Sequence, residues 1–130
     1  MRTRVRLQRD GQDLVARFTP NQADIIHRVL TLLGSSDAAN TSLTVQTGTD
    51  RETVTGLAAR FAGEHARSFD MPLTVVELHT VHSALTAAPL LCLEGPHRMF
   101  SEQKFHELTG SFREHCDALA FSLVQETAGM

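Results

Sequence analysis

The sequence has neither tryptophan nor tyrosine, and its 130 residues include only two cysteines and a single lysine. Phenylalanine is the only aromatic residue, so the side chains that most often stack on bases or dominate protein interfaces are largely missing. A partner surface would have to use arginine, phenylalanine, methionine and aliphatic residues. Cys92 and Cys116 are too few for a disulfide framework and form no Cys-x-x-Cys pair, so we expect both to be reduced and buried.

The distribution of apolar residues also predicts neither a secretory signal nor a membrane-spanning segment. Residues 1–7 alternate arginine with apolar residues, unlike the continuous apolar run of a secretory signal, and no stretch approaches 18 apolar residues. Phosphate-binding loops, dinucleotide-binding glycine fingerprints, nucleophile elbows and EF-hand loops are absent. The expectation is a cytoplasmic protein with no membrane association, no cofactor and no catalytic residue set.

Length and charge predict one globular domain spanning residues 1–130. The formal net charge is −3, and eleven arginines against one lysine are typical of a GC-rich bacterial genome. The charge is segregated, because residues 1–17 carry a net +3 and the remainder a net −6. The negative net charge disfavours a protein that binds nucleic acid over its whole surface. The segregation of charge nevertheless leaves one local basic surface.

The first eighteen residues predict a β-hairpin. Asp10-Gly11 is typical of a two-residue type I′ turn, and both flanks alternate polar and apolar residues. Counting outward gives the pairs Arg9–Gln12, Leu7–Leu14, Val5–Ala16 and Thr3–Phe18. One face of the hairpin is then apolar and turned toward a core, and the other is basic.

Three capping boxes predict helix starts. Each is a threonine followed three residues later by Gln or Glu, at Thr19, Thr49 and Thr74. The first helix should end at Gly34 and the third before Pro89. The second helix should end before the break at residues 68–72.

One further strand and a last helix complete the prediction. Residues 42–47 are β-branched and alternate, which favours a third strand with Leu43 and Val45 inward. Ser101 should cap a helix that runs to about Gln125, with a kink or close crossing at Gly110. The order ββαβααα predicts an α+β fold in which about four helices cover a small sheet. An exposed sheet edge or a shared last helix would favour a homodimer.

The basic hairpin face is the first candidate site. Arg2, Arg4 and Arg6 alternate along one strand, and Arg17 lies opposite Arg4 in the predicted register. An arginine-faced ribbon can enter a DNA groove or bind phosphates, which predicts polyanion binding by these four residues. The alternative, which we favour, is a face that is solvated or neutralised by acidic helices of the same chain or of a dimer partner.

The histidines are the second candidate site. His79 and His82 lie three residues apart on the third predicted helix, and His115 borders the apolar stripe of the last one. If the two helices meet, the three imidazoles could form a metal or acid–base site, with Glu77 or Glu114 as an added ligand or base. The alternative is that each histidine is a hydrogen-bonded boundary residue, which His-x-x-His spacing alone does not contradict.

These patterns rank three functions. The leading one is a non-enzymatic protein-interaction domain whose acidic helical surface binds a basic partner, in the manner of an immunity protein, an antitoxin or a complex subunit. The second is a nucleic-acid-binding regulator that uses the arginine face. The third is a small metal-dependent enzyme or sensor built on the histidines.

Overall fold

The computed structural model describes residues 4–128 and 130 and confirms the predicted α+β fold. Its main sheet is antiparallel, in the order β1-β2-β3, with strands β1 (Arg6–Asp10), β2 (Asp13–Phe18) and β3 (Phe69–Leu73). A separate two-stranded ribbon pairs β4 (Leu93–Glu94) with β5 (Met99–Phe100). Six α-helices are described: α1 (Pro20–Gly34), α2 (Asn40–Thr47), α3 (Arg51–Arg60), α4 (Val75–Ala87), α5 (Glu102–Thr109) and α6 (Arg113–Thr127). A 3₁₀ turn over Ala88–Cys92 follows α4.

The N-terminal hairpin is confirmed, but its register differs from the predicted one. Gly11 takes φ 65° at the first central position of the turn, as in a type II′ turn, so Gly11-Gln12 forms the loop. Leu7 therefore faces Ala16 instead of Leu14. The partner moves by two residues, an even number, so the predicted apolar face stays buried. The predicted Thr3–Phe18 pair involves a residue outside the described part of the chain.

The third strand exists, but the prediction placed it at the wrong segment. Residues 42–47 lie in helix α2, where Leu43 and Thr47 are buried one turn apart and Val45 is 81% exposed. This is the burial period of a helix and not of a strand. The strand comes instead from residues 69–73, and Pro72 is tolerated there because β3 is an edge strand.

Two helix boundaries also differ from prediction. The N-cap of α3 is Asp50, whose carboxylate accepts from the Thr53 backbone N–H, and not Thr49. The predicted last helix is two helices, because Gly110 takes φ 72° and ends α5 before α6 begins at Arg113. Glycine is favoured at this left-handed position because it has no Cβ.

Helix α4 lies at the centre of the fold and packs against α1, α2, α6 and β3. Its capping box at Thr74 and that of α1 at Thr19 are both formed as predicted. Residues 75–92 are long and apolar enough to cross a membrane by length and composition, but half of this stretch is buried within the fold. That burial is consistent with the core helix of a soluble protein.

Candidate functional site

A groove of about 430 Å³ opens between the hairpin, the first half of α4 and the last turns of α6. Its floor is formed by three buried leucines from these three elements, Leu14, Leu78 and Leu123. Val75 and Val124 on its rim are 57% and 53% exposed. We call this feature the α4–α6 groove; its lining is mainly apolar, as in most binding sites for small ligands or side chains.

The polar groups of the α4–α6 groove are Arg9, His79, His82 and Thr127. Among the residues that the structure describes, no Asp or Glu side chain lines it. Arg9 forms no ion pair with any residue of the described chain. The polar side of the groove therefore favours an anionic or hydrogen-bonding group over a cation.

The two α4 histidines lie together on the wall of this groove. Desolvation lowers the pKa of His82, and the positive charge that His79 can carry lowers it further. The His79 ring lies against Gly48, where an added Cβ would come within 3.0 Å of it, and its Nε2 lies 3.3 Å from Ser83 Oγ. The local contacts thus hold His79 in place beside the groove.

His115 does not join this pair. It lies eight residues before Leu123 on α6, which corresponds to about 12 Å along a helix axis. Its ring contacts Phe112 edge-on, with 5.8 Å between centroids, and its Nε2 is 3.9 Å from Glu114. Within residues 4–128 and 130, no three His, Cys, Asp or Glu side chains come together as a metal site. The three predicted ligands are therefore not gathered into one centre.

Three of the four predicted arginines do come together. Arg4, Arg6 and Arg17 line a polar cleft of about 230 Å³ with Thr19, Gln22 and Ser68, which we call the arginine cleft. Arg2 lies outside the described residues. The corrected register places Arg6, and not Arg4, directly opposite Arg17.

Two of these arginines are paired with acids of the same chain. Arg4 Nε lies 2.6 Å from Glu126 Oε1 on α6, and Arg17 Nη1 lies 3.1 Å from Asp70 Oδ1 on β3. Arg6 forms no ion pair with the described residues. The basic face is therefore partly neutralised from within, and among its described arginines Arg6 is the one without an ion pair.

The two cysteines are free and buried, as predicted. Desolvation raises the pKa of the Cys116 thiol to about 12, and nearby carboxylates add to this effect. Burial likewise raises the pKa of Cys92. Both thiols are thus held in the protonated, unreactive form.

The α4–α6 groove was not predicted from the sequence. Its lining combines Arg9 and Leu14 of the hairpin with α4 and with residues near the end of α6, such as Val124. No local motif signals such a site, because the residues are ordinary in their own elements and meet only after folding. Comparisons with protein-family models, curated proteins and solved structures found no match.

Proposed function

We propose that this protein is a non-enzymatic, cytoplasmic interaction domain that binds a segment of another protein in the α4–α6 groove. The observation that supports it is the composition of the groove, an apolar floor with an exposed apolar rim. Phe121, three residues before Val124 on α6, is also exposed.

The charged and polar side chains that line the groove indicate which kind of partner segment would bind there. Arg9 complements an acidic residue, the two histidines can donate hydrogen bonds to it, and no Asp or Glu side chain among the described lining residues would attract a basic one. An amphipathic helix with apolar residues at i and i+3 or i+4 and an acidic residue beside them would fit this arrangement. This partner differs from the basic protein that the overall charge suggests, because the groove itself is not acidic.

Selection of displayed random peptides on the purified protein tests the proposal without knowledge of the partner. We expect the selected peptides to share two apolar positions three or four residues apart and an acidic residue. Val124→Asp, which puts a carboxylate on the rim, should abolish their binding. Val45→Asp is the matched control, because Val45 is 81% exposed on α2 and does not line the groove.

The outcomes separate the alternatives. Peptides that are basic, or that bind the Val124→Asp and Val45→Asp variants equally well, would contradict the proposal.

Native mass spectrometry of the untagged protein tests the predicted homodimer. A dimer that Val124→Asp converts to monomer would assign the groove to a second copy of this chain instead.

A further inference from the structure

We propose that the arginine cleft binds one phosphate group of a small molecule. The inference is independent of the α4–α6 groove, since the two sites share no lining residue. It rests on three guanidinium groups and two hydroxyl side chains, Thr19 and Ser68, around one small polar space.

The register of the hairpin places two of these charges face to face. Arg6 and Arg17 are direct cross-strand partners, so their side chains project from the same face of the sheet. Like charges in this arrangement repel and destabilise the pair. An anion between the two guanidinium groups would turn this repulsion into two attractive contacts.

The existing ion pairs leave donors for such an anion. Arg4 uses its Nε for Glu126, and Arg17 uses one Nη for Asp70, whereas each guanidinium has five N–H donors. Arg6 has all of its donors free of ion pairs within the described chain. Neither Glu126 nor Asp70 lines the cleft, so the carboxylates can hold two guanidinium groups without occupying the space between them.

A single phosphate fits this surface better than a nucleic acid does. The cleft of about 230 Å³ is compact, and the acids beside it would repel a longer phosphate backbone. Guanidinium groups bind phosphate with paired, charge-assisted hydrogen bonds. The chain also has no tyrosine or tryptophan on which bases could stack.

Nuclear magnetic resonance titration of the full chain with inorganic phosphate tests the inference. Sodium acetate at equal ionic strength is the control anion. We expect saturable shifts of the arginine Nε–Hε signals in the cleft with phosphate and none with acetate. Arg6→Gln should weaken phosphate binding about tenfold, the loss expected for one charge-assisted contact. Arg17→Gln should have a similar effect, which covers the case in which Arg6→Gln fails to fold.

Arg9→Gln is the matched control, because it removes the same charge from the same strand but lines the other site. Unchanged phosphate affinity in this variant would support the cleft. If Arg6→Gln and Arg9→Gln weakened phosphate binding equally, the loss would reflect only the overall charge of the protein, and the inference would be overturned. A single-stranded oligonucleotide that binds with a steep salt dependence while free phosphate does not bind would overturn it in favour of a polyanion.

Discussion

At the scale of single residues, His82 illustrates how the groove acts on a titratable group. The side chain is half-buried on α4, in contact with the apolar lining of the α4–α6 groove. Desolvation lowers its pKa, and His79 on the same helix wall lowers it further. Arg9 is a charged side chain that lines the same groove. The folded state therefore resists protonation of His82 more than the unfolded chain does.

This difference predicts a pH dependence of stability. Because the folded pKa of His82 is below its ordinary value of 6.5, the unfolded state binds more protons as the pH falls through that value. The contribution of His82 to the free energy of unfolding should thus decrease as the pH falls from neutrality through 6.5. Urea denaturation of wild type and His82→Gln across this range measures it. We expect a flatter pH profile for the variant; parallel profiles would show that other groups cause the dependence.

At the scale of elements, glycines decide where the C-terminal helical region divides. Gly110 ends α5 at φ 72°, and a Cβ added there would lie 3.1 Å from Arg28 Nη1. Gly56 is the opposite case, since it lies inside α3 with ordinary helical φ and nothing within 4 Å of an added Cβ. The same residue type is therefore required at one helix end and unfavourable inside another helix.

Alanine substitution should consequently have opposite effects at these two positions. Gly110→Ala should lower the free energy of unfolding by about 1–2 kcal/mol, the cost of a left-handed alanine. Gly56→Ala should raise it by about 0.5–1 kcal/mol, because glycine is a poor helix former. Chemical denaturation of both variants measures the two effects. A neutral Gly110→Ala would argue that α5 and α6 can join as one continuous helix.

At the scale of the whole molecule, Arg51 connects three helices. From the start of α3, its guanidinium donates to the carbonyl oxygens of Gly34 at 2.6 Å, Ser36 at 3.1 Å and Ala38. Its Nε donates to Asn40 Oδ1 at the start of α2, at 3.0 Å. One side chain thus satisfies the carbonyl groups at the end of α1 and in the loop that follows.

Arg51→Lys keeps the charge but loses the planar set of donors, so the loop carbonyls would lack partners. We expect the free energy of unfolding to fall by about 2 kcal/mol, as for loss of hydrogen bonds to a charged group. Arg28→Lys is the control, because the ion pair of Arg28 with Asp24 is an exposed i,i+4 pair, and its change should alter stability by less than about 0.5 kcal/mol. Equal losses in thermal or urea denaturation of the two variants would show that the loop carbonyls are satisfied in another way.

The candidate sites differ in how far sequence could predict them. The arginine face was predictable because strand alternation places Arg4 and Arg6 on one face, and a single turn brings Arg17 opposite them. The arginine cleft beside this face is also lined by Ser68. Ser68 is brought there because Asp70, two residues later, pairs with Arg17 across 53 residues of sequence. Among the described residues, the structure does not gather His115 with His79 and His82, and nothing local in the sequence indicates which ends of two helices meet.

The sequence by itself determined the α+β class, the buried face of the hairpin and the starts of α1 and α4. Alternation and capping act over a few residues, so these features are encoded where they form. Only the tertiary structure decided that residues 42–47 form a helix and that residues 69–73 pair with β2. The same short segment can form either element, and the burial of Leu43 together with Thr47, while Val45 stays exposed, is the pattern of the helix. The α4–α6 groove belongs to this second class, since its lining comes from three elements and exists only when they pack together.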